Sequence, residues 1–176
     1  MKGYAADRAI EVLRQAGVRN ALIDLGGEIG VLGVGSDGVS WRVGVQHPRR
    51  RDSHIGALTL HEGLSVATSG DYERFFVDNG RRYHHILDPR TGYPAAGGVV
   101  GITVVTEKGL EADAMSTAAF ILGPEKGLAL LEQEKCEGLV IYVEDGRTED
   151  GKLLWRATSG FSKYLPHPDL EGLPLP

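Results

Sequence analysis

Asp113 and Thr117 stand four residues apart in EADAMSTAAF, a stretch of otherwise small or apolar residues with helical composition. At that spacing a carboxylate and a hydroxyl share one helix face. Two hard oxygen donors one turn apart suit a divalent cation such as magnesium, which takes oxygen ligands and leaves room for substrate phosphates. The competing reading is structural: an acid near a helix N-terminus complements the helix dipole, and a threonine back-bonds to its own helix. A second group of reactive side chains lies in HHILDPRTGYP (84–94), where two histidines, an aspartate, an arginine and a threonine surround Pro89 and Gly92. Asp88-Pro89 followed by Gly92 is turn chemistry. His84 and His85 are adjacent on an extended run and face opposite ways, so at most one enters a given site. Arg90 either pairs with Asp88 or holds an anion. Two weaker candidates complete the set. SGDYERFF (69–76) reads as a turn followed by an aromatic plug under a strand pair, and HPRRRD (47–52) as a solvated basic loop. Ser69 sits in no GxSxG setting, which argues against a hydrolase triad.

The elements that must position these residues follow from periodicity. Ala6, Ala9, Ile10, Leu13 and Ala16 recur at helical spacing and Gly17 follows, predicting an amphipathic helix over 3–16. ALIDL and EIGVLGVG flank Gly26-Gly27 as a hairpin, and WRVGVQHP, ALTLHEG and GLSVATSG read as antiparallel strands. Asn79-Gly80 predicts a second tight hairpin between RFFVD and RRYHHIL. GVVGITVVTE is a long strand, GLEADAMSTAAFILG a helix ending at Gly123-Pro124, and a further helix runs from Pro124 to about Glu134. A strand over GLVIYV, a turn-rich link and a short final strand close the chain, ahead of a Pro-rich tail over 166–176. Strands dominate the middle without regular strand–helix alternation, so the fold class is α+β, a mainly antiparallel sheet with flanking helices. Residues 1–165 read as one domain.

Composition narrows the function. The chain has 176 residues, 41% of them hydrophobic and 24% charged, enough for one domain with a real core. A net charge of -5 argues against a nucleic-acid partner and fits an acidic site that holds a cation. The single cysteine, Cys136, forms no intramolecular disulfide, no zinc-type spacing occurs, and Cys136 reads as a small residue beside the strand at Gly138. No apolar run has the length of a membrane span and no phosphate-binding GxxxxGK[ST] loop is present; without a signal-peptide pattern at Met1 the expectation for the chain as written is cytoplasmic.

Four segments occur in a fixed order: KGYAADRAIEVLRQAGVRNALIDLGGEIGVLG, ATSGDYERFF, YHHILDPRTGYP and EADAMSTAAFILG. Together they resemble the FAD:protein FMN transferase family, the ApbE-type flavin transferases, from Lys2 to about Leu131. The resemblance implies an ApbE-like, T-fold-related core and a magnesium-dependent enzyme. Such an enzyme binds FAD, splits its pyrophosphate, attaches FMN to a threonine of an acceptor flavoprotein through a phosphoester bond and releases AMP. It also implies roles. Asp113 and Thr117 carry over as metal ligands, and Ser116, which stands where some members carry a second acid, as a weaker one. Lys2 and Leu87 carry over as flavin-nucleotide contacts, and His85 as the group that activates or orients the acceptor hydroxyl.

The segment that precedes Lys-Gly-Tyr in family members has no counterpart here. The expectation is a C-terminal portion of the family fold, one piece of a longer or split gene product, because the first helix amides lack side-chain partners; completion by a missing N-terminal partner chain or a homodimer is the alternative. Family members are commonly exported. Two other readings stay open on the residues: a non-catalytic module that binds flavin nucleotide or a protein partner, and an FAD pyrophosphatase in which water replaces the acceptor hydroxyl.

Overall fold

The computed structural model describes residues 1–143 and 152–165. The link expected between the last two strands and the Pro-rich tail lie outside these residues. Helix α1 (Lys2–Gln15) leads into strands β1 (Ala21–Asp24) and β2 (Glu28–Leu32), then β3 (Trp41–Gln46), β4 (His54–Leu60), β5 (Ser65–Gly70), β6 (Phe75–Asp78), β7 (Arg81–His84) and β8 (Val99–Thr106). Helices α2 (Gly109–Leu122) and α3 (Pro124–Gln133) precede β9 (Glu137–Val143), β10 (Leu153–Ala157) and a 3-10 turn at Phe161–Lys163. Six strands form one antiparallel sheet in the order β1-β2-β5-β8-β9-β10, and the hairpins β3–β4 and β6–β7 stand as separate two-stranded sheets. The expected α+β class is the observed one.

The chain stacks as three layers. On one face of the large sheet Val31, Val66, Val105, Leu139 and Ile141 pack against Val43, Val45, Leu58 and Leu60 of the β3–β4 hairpin. On the other, Ile102, Val104 and Val140 meet Ala119 and Phe120 of α2 and Leu131 of α3. The β8 strand is buried at all eight positions, which is why VVGITVVT shows no polar alternation although its neighbours are antiparallel. Helix-side packing depends on small residues. Gly3 of α1 and Gly109 of α2 bring the two backbones so close that a Cβ on Gly3 would lie 2.0 Å from the Gly109 carbonyl oxygen. No described helix is long and apolar enough to cross a membrane.

Two sequence expectations need correction. Phe75 and Phe76 form no plug: they are 44% and 64% exposed, because the β6–β7 hairpin stands off the main sheet and Phe76 stacks on Tyr83 across the hairpin at 5.1 Å. Nor is 47–52 simply a solvated loop. His47 and Pro48 are buried, and Arg49 forms a two-point ion pair with the fully buried Asp71, both contacts at 2.8 Å. A carboxylate removed from water needs such a partner, so Asp71 draws Arg49 inward and fixes the loop to the end of β5.

Candidate functional site

Helix α2 crosses the start of α1, and each helix supplies the other's cap. Asp7 of α1 accepts hydrogen bonds from Gly109 N–H at 2.7 Å and Leu110 N–H at 3.0 Å, the first two residues of α2. In return Asp113 of α2 accepts a hydrogen bond from Gly3 N–H at 3.0 Å and from the Met1 amine at 2.8 Å. The Gly3 amide, expected to lack a side-chain partner, therefore has one from 110 residues away. Sequence-local capping rules miss it because neither acid lies next to the helix it caps. Burial pushes the Asp113 carboxyl up, but the Met1 amine, Gly3 N–H and Lys2 outweigh it and hold the group below the usual carboxylate range.

Lys2, at the first turn of α1, reaches the β1–β2 turn. Its Nζ donates to the Gly26 carbonyl at 2.8 Å and pairs with the buried Glu28 carboxylate. That turn is shaped by Gly26 and Gly27, both at positive φ, while Asp24 Oδ1 accepts both of their N–H groups at 2.9 and 3.1 Å. Burial raises the Glu28 pKa against the opposing pull of Lys2. Glu28 went unread in the sequence, since a glutamate opening a strand carries no signal of its own.

Beside Asp113, three hydroxyls meet. Thr117 Oγ1 and Ser116 Oγ donate to the Asp113 carbonyl at 3.1 and 3.2 Å, so the back-bonded reading of Thr117 describes its geometry. Ser69, near the end of β5, places its Oγ 3.0 Å from Ser116 Oγ and 3.3 Å from Thr117 Oγ1. Ser116 is 1% exposed, whereas Asp113, Thr117 and Ser69 are half-buried and reachable. The donor set is all oxygen, the type a hard divalent cation takes. Among the described residues no cluster of three or more His, Cys, Asp or Glu side chains offers a metal site. A cation beside Asp113 and Thr117 would use hydroxyls alongside the Asp113 carboxylate.

The 84–94 segment lies at the other end of α2. His84 is buried edge-on to Phe120 at 5.3 Å, seven residues beyond Asp113 and so about 10 Å along the helix. Ile86 N–H donates to His84 Nδ1 at 3.3 Å, leaving Nε2 as the donor to the Ala95 carbonyl at 3.3 Å. Burial pushes the His84 pKa down. The two histidines diverge as expected, and His85 is exposed. Leu87 is 51% exposed and bridges to Pro94, closing a turn in which Asp88 accepts the N–H groups of Thr91 and Gly92 at 3.1 and 2.8 Å. Arg90 pairs with Asp88 at 2.7 Å, and this guanidinium holds the Asp88 carboxyl below the usual range. Lys2, Asp113, Ser116 and Thr117 are thus gathered at one junction, with His85 and Leu87 on a separate exposed loop.

The same arrangement of elements recurs in known proteins. Residues 1–140 match the model of the ApbE family. The chain belongs to the ApbE family. An FAD:protein FMN transferase of Klebsiella pneumoniae (strain 342) is 45% identical over 135 residues, covering 76% of this chain and 40% of that protein. The crystal structure of the ApbE protein from Thermotoga maritima superposes with a TM-score of 0.80 at 36% identity, covering 93% of this chain and 51% of that one. Apo flavinyl transferase ApbE from Pseudomonas stutzeri gives a TM-score of 0.76 at 35% identity, covering 94% and 49%. The chain spans about half the length of the relatives it matches, or less.

Proposed function

We propose that this chain takes part in transferring FMN from FAD to a threonine of an acceptor flavoprotein, with magnesium as the metal and AMP as the leaving product. The observation that carries this reading is the junction of α1, β5 and α2, where Lys2, Asp113 and Thr117 converge in an ApbE-family chain. The threonine oxygen would attack the FMN-side phosphorus, forming a phosphoester bond as the P–O–P bond breaks and AMP leaves. The donor set of Asp113 and Thr117, with Ser116 behind them, fits a hard cation. Magnesium, when bound, neutralises charge on the pyrophosphate oxygens.

The chain's own residues would do the rest. Lys2 places a positive charge at the same junction, fixed by Glu28 and Gly26, so it can meet a phosphate without first losing side-chain freedom. Leu87 exposes an apolar side chain on a closed turn, suited to a flavin ring face. His85, exposed beside it, would orient the acceptor hydroxyl or take its proton.

The test is to incubate the chain with FAD, magnesium and a threonine-bearing acceptor domain and to weigh the acceptor. An FMN-sized mass gain, lost in Asp113→Ala, is expected. No gain while a full-length relative labels the same acceptor would refute the reading for this chain. Release of FMN and AMP without labelling would mark hydrolysis instead. Calorimetric FAD binding that is indifferent to both magnesium and Asp113→Ala would mark a non-catalytic binding module.

A further inference from the structure

Proton accounting at the three-hydroxyl cluster singles out Ser69. A hydroxyl has one proton and two acceptor lone pairs, and a carbonyl oxygen accepts only. Ser116 and Thr117 both contact the Asp113 carbonyl, so both of their protons are committed to it. In the Ser69–Ser116 and Ser69–Thr117 contacts, at 3.0 and 3.3 Å, Ser69 must then be the donor. Its one proton serves the two helix hydroxyls, and among the described residues its Oγ accepts no hydrogen bond. Ser69 therefore keeps its lone pairs for another partner, and unlike Ser116 the residue is only half-buried. Ser116 is 1% exposed and receives that proton, so it lies behind the cluster rather than at its mouth.

We propose that Ser69, rather than Ser116, is the further side-chain oxygen that joins Asp113 and Thr117 in binding a divalent cation. The inference rests on the transferase reading only in needing a cation at this junction. Position supports it. Ser65, Ala67 and Ser69 share one face of β5, the face turned toward α1 and α2, because side chains alternate along a strand. A ligand on β5 would tie the cation to the central sheet as well as to α2. The donor to Ser116 also fixes the Ser69 rotamer in advance, so little freedom is lost on binding. Thr68, the next residue, points to the opposite face and spends its hydroxyl on Thr103 at 3.0 Å.

The test uses manganese as the probe, titrated into the chain with ADP as a diphosphate and followed by electron paramagnetic resonance. Wild type should bind, Ser69→Ala should bind at least tenfold more weakly, and Thr103→Val, which removes a hydroxyl pair from the other face, should bind as wild type does. Ser69→Cys should lose manganese affinity and gain cadmium affinity, since a thiolate prefers the softer ion. A merely structural serine would not produce that exchange. Wild-type binding with Ser69→Ala weakened less than threefold, or with Thr103→Val weakened equally, overturns the inference and leaves the transferase reading standing. No manganese binding by wild type overturns the cation site, and the inference with it.

Discussion

Replacing Gly3 by alanine should destabilise this protein, against what helix propensity alone dictates. In an exposed helix interior the change would stabilise by about 1 kcal/mol. Here the new Cβ would sit 2.0 Å from the Gly109 carbonyl oxygen, 2.4 Å from its carbon and 2.8 Å from the Asp113 Cβ. Two of these three atoms are backbone, so no rotamer change relieves the overlap, and α1 must move off α2 by about 1 Å, an overpacking that costs about 1–3 kcal/mol. The movement also stretches the hydrogen bond from Gly3 N–H to Asp113, now 3.0 Å, a charged bond worth about 1.5–3 kcal/mol. With the propensity gain subtracted, the net loss is about 1.5–5 kcal/mol. Urea denaturation with a fixed m-value reads it directly as a lower midpoint. A midpoint equal to or above wild type would refute the close-packed junction on which the site description rests.

Further outcomes follow from the same geometry. Asp7→Ala removes both caps on α2, and typical capping values put the loss at about 2 kcal/mol; calorimetry should find Tm lower by about 4–8 °C. Arg49→Ala removes the two-point partner of the fully buried Asp71 and leaves it Arg82 at 3.9 Å, so it should cost up to about 3 kcal/mol in urea, and more when Arg82→Ala is added in the same chain. The His84 pKa is lowered by burial, so between the folded value and about 6.5 the unfolded chain binds more protons. Stability should therefore fall as pH drops from about 6.5 and level off below the folded value. Denaturation midpoints across pH 5–8 should show a steeper slope in wild type than in His84→Gln, the remaining slope coming from His47, whose pKa burial also lowers.

Local pattern was sufficient for the elements. Period-3.6 spacing over 3–16, the Asn79-Gly80 turn and the Val/Ile/Thr run of β8 each name a structure within a few residues, because capping, turn chemistry and side-chain alternation act at short range. The pairing of Asp113 with Thr117 was legible for the same reason, since one helical turn joins them. Burial was less so. RFFVD looks like core but lies on a free-standing hairpin, and HPRRRD looks like surface but is anchored by Asp71, because hydrophobicity and charge report a residue's preference and not its partner.

The sequence by itself determined the α+β class, the helix and strand identities, the ApbE resemblance and the facing of His84 and His85. The tertiary structure decided what meets. It set Asp7 and Asp113 as crossed caps, placed Lys2 between Gly26 and Glu28, and brought Ser69 to Ser116 and Thr117 across 47 and 48 residues of chain. No local rule predicts those contacts. They arise because Gly3 and Gly109 let two backbones approach and an antiparallel sheet carries β5 beneath α2, and both are properties of packing between distant segments.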